Sequence, residues 1–162
     1  MLAGVCLALA AATGGPAAAP AVKPPAPVFV PVQRFTLAWT HSIEKIRWEE
    51  DYAVTGGAPA SAPLLRAVGA RVHGSGAGME PPAGAVLHNG WYDYVPTTPP
   101  LQVLRLTRSP YTADYDWCVA GQCRPLSQLL PSDGGVTLLW PCNDPADIAG
   151  RAWKGGAPRP GG

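Results

Sequence analysis

The 162-residue chain carries 12 Lys and Arg against 11 Asp and Glu, a formal net charge of +1. It has no basic cluster able to track phosphates, which excludes electrostatically driven nucleic-acid binding. Nineteen glycines and 20 prolines, with only 14% charged residues, exclude long helices and predict one domain of short strands joined by close turns.

The chain opens on an apolar run, Leu2 to Ala12, followed by small residues with A-x-A patterns ending at Ala19 and Ala21. This predicts an export leader over residues 1–21. Pro20 would sit just past a cut after Ala19, so cleavage after Ala21 is expected, with the mature chain starting at Val22. The run falls short of the roughly 20 apolar residues a bilayer span requires, so no transmembrane span is expected in the mature chain. Residues 22–31, rich in proline, read as an extended spacer. A β-domain is expected over 32–145 and a Gly/Pro-rich tail over 146–162.

The clearest periodicity lies in Arg34 to Val54. Phe35, Leu37, Trp39, His41 and Ile43 share one parity, and Ile46, Trp48, Glu50, Tyr52 and Val54 answer them after a break. Lys45, Arg47, Glu49 and Asp51 occupy the alternate, wetted face. An antiparallel hairpin that matches the two apolar faces sets Trp39 opposite Trp48, Leu37 opposite Glu50, Phe35 opposite Tyr52 and His41 opposite Ile46, with a loop of two or four residues. His41 and Glu50 are then polar intruders on a buried face. A carboxylate there needs a cation, several hydrogen bonds or a raised pKa, and Arg66, Arg71 and His41 are the candidate partners.

Leu64 to His73 reads as a third strand, with Val68, Ala70 and Val72 alternating against Arg71 and His73. It runs into the cluster Gly74-Ser75-Gly76-Ala77-Gly78-Met79-Glu80-Pro81-Pro82. Ser75 lacks the flanking glycines of a nucleophile elbow, and Pro81-Pro82 bars the helix a dinucleotide fingerprint needs. A tight crossover or an anion-binding nest remain. Asn89-Gly90 predicts a hairpin over Val86 to Val95 with His88 facing Trp91. Leu101 to Thr107, a hairpin around Cys118 and Cys123, one helical turn over Leu126 to Leu130 between Pro125 and Pro131, and a strand over Val136 to Trp140 complete the pattern. Seven or eight short strands predict an all-β fold, a single small antiparallel sandwich or partly closed barrel.

Export would make the cysteines candidates for oxidation. The loop between Cys118 and Cys123 places them opposite each other and predicts a disulfide that leaves Cys142 free; three reduced thiols in another compartment are the alternative. The spacing with His73 and His88 lacks the paired ligands of a structural zinc site, so no metal or other cofactor is expected.

Thr40-His41-Ser42-Ile43-Glu44-Lys45 with Trp48 and Glu50, then Gly74 to Pro81, then Gly90-Trp91, resemble the bacterial domain-of-unknown-function family DUF1850 over about Arg34 to Leu139. Members are small, often exported proteins associated with tripartite ATP-independent periplasmic (TRAP) transporters of the TAXI type. The resemblance implies a periplasmic or otherwise exported accessory domain that binds transporter components or a small ligand. It carries over His41, Ser42, Glu44, Trp48, Glu50, Gly76, Gly78 and Met79 as ligand- or partner-binding candidates, without individual roles and with no catalytic residue. A purely structural or interaction domain is one alternative. A hydrolase using His41, Ser42 and Glu44 is another, although adjacent strand residues point to opposite faces, so His41 would activate Ser42 only within a turn.

Overall fold

The computed structural model describes residues 3–10, 23–56, 62–74 and 81–143. Among them are eleven strands: β1 (Gly4–Leu9), β2 (Val28–Val30), β3 (Arg34–Thr40), β4 (Arg47–Thr55), β5 (Leu64–His73), β6 (Val86–His88), β7 (Trp91–Tyr94), β8 (Leu104–Thr107), β9 (Asp116–Val119), β10 (Gln122–Pro125) and β11 (Val136–Cys142), with one 3-10 turn at Leu126–Gln128. They form two antiparallel sheets, ordered β2-β1-β11-β8 and β10-β9-β3-β4-β5-β7-β6, that do not close into a barrel. The all-β expectation holds as a sandwich with more strands than the turn signals predicted.

Local patterning accounts for most of the larger sheet. β3 and β4 pair with Phe35 opposite Tyr52, Leu37 opposite Glu50 and Trp39 opposite Trp48. The His41 amide donates to the Ile46 carbonyl at 2.9 Å, which leaves Ser42 to Lys45 as the four-residue loop. The hairpins at Asn89-Gly90 and Ala120-Gly121 each turn through two residues with positive φ, the twist that suits a two-residue connection. They set His88 opposite Trp91 and Cys118 opposite Cys123.

Phe35, Leu37, Tyr52, Leu65 and Trp117 from the larger sheet share the main core with Val5, Leu7, Leu106 and Leu139 from the smaller one, together with Leu126 and Leu130 of the 3-10 turn and its flank. Phe35 stacks on Trp117 at 4.4 Å and on Tyr52 at 5.5 Å between ring centroids. Cys6, Leu138, Trp140 and Cys142 form a second cluster from the alternate positions of β1 and β11.

The structure differs from several expectations. The apolar run assigned to a leader forms β1, an interior strand flanked by β2 and β11, with Val5, Cys6 and Leu7 fully buried. A cut after Ala21 would remove this strand from the smaller sheet. Cys142 is not free: it is joined to Cys6, alongside the expected Cys118–Cys123 bond. The spacer is in part a strand, since Val28–Val30 pairs with β1. Of Leu101 to Thr107, only Leu104–Thr107 is strand, with an isolated bridge from Leu101 to Leu65.

In β5 the pairing with β4 slips between Asp51 and Tyr52, so that Asp51 faces Gly69 while Tyr52 faces Ala67. The slip is a β-bulge at Val68, which reverses facial parity. Ala70 and Val72 remain on the inner face as expected, but Val68 lines the outer face, and Ala67 and Leu65 take the inner positions.

Candidate functional site

The turn that carries His41, Ser42 and Glu44 is built as a self-contained loop. The Glu44 amide donates to His41 Nδ1 at 3.3 Å, and the Lys45 amide closes back on the His41 carbonyl at 2.9 Å, with Lys45 at positive φ. Ser42 and Glu44 are exposed. No hydrogen bond joins the Ser42 hydroxyl to the His41 ring, so the turn holds the three residues near each other without assembling a nucleophile and base. Gly76, Gly78 and Met79 lie outside the described residues; of the glycine cluster, Gly74 has positive φ and its amide donates to the Gly90 carbonyl at 2.8 Å.

Charge is sorted by face. On the outer face of the larger sheet, Arg47 bonds Glu49 at 2.9 Å and Asp116 at 2.8 Å, while Arg71 bonds Glu49 at 2.5 Å and Asp51 at 2.9 Å. The Thr36 hydroxyl adds a 2.5 Å bond to Asp51. Asp51 opposes burial, which would raise its pKa, with these partners, and the net result holds its carboxyl below the usual range. Gly69, opposite Asp51, makes room for the carboxylate: a Cβ there would lie 2.9 Å from Asp51 Oδ2. This ladder edges a cavity of about 530 Å³ whose rim includes Ala120, Gly121 and the Cys118–Cys123 pair. Its acids and arginines satisfy one another.

Glu50 lies on the inner face and is treated differently. It sits in a cross-strand row, Trp117, Leu37, Glu50, Ala70 and Tyr94, that runs over β9, β3, β4, β5 and β7. The expected cationic partners are absent: Arg71 is committed to the outer face, Arg66 is exposed, and His41 sits four residues along β3 from Leu37, about 13 Å in an extended strand. The Tyr52 hydroxyl donates to Glu50 instead. Burial, then the Glu50 carboxylate, pushes the phenols of Tyr52, Tyr94 and Tyr115 up, since a neighbouring negative charge opposes forming a phenolate.

A cavity of about 540 Å³ opens beside Glu50, walled by Tyr52, Ala67, Tyr94 and Leu101 and bordered on its open side by Pro82-Ala83 and Val95 to Thr98. Seven strands facing four leave inner-face area for such a space, and the small side chain of Ala67 lines it. Beyond it, Trp48 stacks on Trp39 at 6.2 Å and Tyr115 tilts onto Trp39 at 5.8 Å. Trp48 Nε1 is buried with no acceptor among the described residues. The tyrosine surround and the bulge escaped the sequence reading; the alanines at 67 and 70 opposite large residues were the available signal.

The sequence profile of the DUF1850 domain of unknown function matches residues 35–126, more than half of the chain. The chain belongs to the DUF1850 family. The DUF1850 match takes in all seven strands of the larger sheet apart from Arg34 at its entry, together with β8, and both cavities lie within or against it. It leaves β1, β2 and β11 outside. No curated protein and no solved structure matches the chain. Among the described residues of this DUF1850 member, no helix is long and apolar enough to cross a membrane, and no group of three or more His, Cys, Asp or Glu side chains is placed to hold a metal ion.

Proposed function

We propose that this DUF1850 domain is a non-catalytic binding protein of an oxidising, extracytoplasmic compartment, and that it takes a small ligand in the cavity beside Glu50 as an accessory to a TAXI-type TRAP transport system. The observation that carries the ligand reading is the cavity itself. Its volume falls within the range of small-molecule sites, and its walls are apolar and aromatic with one carboxylate, the composition of sites that bury a ligand body and orient it by a few polar groups. The two disulfides support an oxidising compartment, where such bonds persist. With β1 inside the fold, export rests on those bonds rather than on removal of residues 1–21. The transporter link rests on the family resemblance. A non-catalytic role is supported by the His41 turn, whose Nδ1 is occupied by a backbone amide and whose Ser42 has no base.

Native mass spectrometry on protein purified gently from cells that express it at natural levels tests this reading. A small molecule retained at unit stoichiometry, or a transporter subunit in the same complex, is the expected result. Ligand-free protein that coelutes with no transporter component, recovered with reduced cysteines from the cytosol, would overturn it.

A further inference from the structure

We propose that the cavity beside Glu50 selects a small organic cation, a primary ammonium attached to an apolar or aromatic body. This inference rests on the reading of that cavity as the ligand site and names the chemistry it takes.

The first support is a contrast among carboxylates. Glu49, Asp51, Asp114 and Asp116 are all half-buried, and each meets an arginine within 2.9 Å. Glu50 is also half-buried, yet it forms no ion pair among the described residues and is bonded by a neutral phenol. A carboxylate withdrawn from water usually brings its cation with it, because its desolvation otherwise goes uncompensated. This fold places arginines against every comparable acid on the outer face and leaves the inner one open toward a cavity.

The lining is the second support. Among the described residues, Glu50 is the only charged side chain on it; the rest are Tyr52, Tyr94, Leu101, Val95, alanines, prolines and two threonines. An anion would meet the Glu50 charge with no cation to offset it. A neutral apolar molecule would fill the walls but leave the carboxylate facing hydrocarbon. An ammonium bonded to Glu50, with its body against the tyrosine rings, uses both features, and aromatic faces attract cations as well as hydrocarbon. The hydroxyls of Thr97 and Thr98 offer further acceptors for its N–H groups.

A cavity of about 540 Å³ accommodates a small aryl- or alkylamine with room for solvent.

The test uses three isosteres on the full-length, oxidised protein: phenethylammonium, 2-phenylethanol and 3-phenylpropionate. Binding is followed by amide and methyl NMR shifts, with Ala67, Ala83 and Leu101 reporting on the cavity. Phenethylammonium is expected to bind at least tenfold tighter than the alcohol, with the carboxylate weakest. Glu50→Gln should remove that preference while leaving the alcohol's affinity within about twofold. Ala67→Phe, which fills the space and keeps Glu50, should abolish binding of all three, and covers the case in which Glu50→Gln does not fold. If the alcohol or the carboxylate binds as tightly as the amine, with Glu50→Gln indifferent, the cation inference is overturned and the ligand cavity stands. If none of the three shifts the cavity resonances at millimolar concentration, both fall.

Discussion

The guanidinium of Arg108 meets both oxygens of Asp114, Nε at 2.8 Å from Oδ1 and Nη2 at 2.9 Å from Oδ2, in a two-pronged ion pair whose arginine is buried. The same guanidinium donates through Nη1 to the Leu130 carbonyl at 2.8 Å and to the Thr137 hydroxyl at 3.2 Å, while Asp114 accepts from the Ser127 amide at 2.8 Å. One charged pair therefore ties the end of β8 to the 3-10 turn and to β11. Removing one partner leaves the other's charge uncompensated. Asp114→Ala or Arg108→Ala is expected to cost about 3–5 kcal/mol, and chemical denaturation of each variant beside the parent measures it. A midpoint shift within error of zero would mean that the pair is solvated.

Acid should find the same place. Burial raises the Asp114 pKa, but the Arg108 bonds and charge and the Ser127 and Tyr115 amides outweigh it and hold the carboxyl below the usual range. Asp51 is lowered likewise. A carboxyl whose pKa is depressed by folding contributes stability that is complete above its unfolded value, about 3.9, and lost as pH falls through the folded value. Stability should therefore hold from neutrality to about pH 5 and decline below about pH 4. Denaturant midpoints taken from pH 7 to pH 2 will trace this, and Asp114→Asn should flatten the acid limb from a lower plateau.

β1 makes a further prediction. Oxidised protein, peptide-mapped without reduction, should give Cys6–Cys142 and Cys118–Cys123. The Cys6–Cys142 bond spans 136 residues and the Cys118–Cys123 bond only 5, so loop-closure entropy favours the first. In the chain-entropy account the long bond contributes about 5 kcal/mol and the short one about 2. Cys6→Ser should accordingly lower the melting temperature well beyond Cys123→Ser. A chain that starts at Val22 should expose Leu106 and Leu139 and bind hydrophobic dyes. A well-folded Val22 chain with parental stability would return residues 1–21 to the role of a leader.

How far the sequence disclosed all this depends on the distance between a residue and the partner that fixes its place. The β3–β4 register, the full extent of β5, the Asn89-Gly90 turn and the Cys118–Cys123 bond were legible because alternation and turn chemistry act within about twenty residues. The strand within Leu2 to Ala12 was not legible because a secretory core and a buried strand are both short apolar runs, and the residue bonded to Cys6, Cys142, lies at the far end of the domain. Arg108 gave no signal, since a buried cation looks like any surface arginine until Asp114 and Thr137 are folded around it. At the candidate site, alternation placed Glu50 on the inner face correctly. Its neighbour Tyr52 follows from the same alternation, whereas the cavity beside it depends on the bulge at Val68, which reverses the alternation expected for β5 and brings Ala67 inward.

The middle of the smaller sheet is made from β1 and β11, the first and last of the described strands, Gly4 lying across from Cys142 and Leu9 from Thr137. During vectorial synthesis β1 emerges long before β11, its neighbour on the side away from β2. The larger sheet closes from hairpins and should order early, whereas the smaller one must assemble across a long loop, a slow step. Amide pulse-labelling during refolding should show β3 and β4 protected before β1 and β11. Until that step Val5 and Leu7 remain an exposed, sticky segment, so the interval before the last strand arrives is when this chain is most open to aggregation, or to a chaperone.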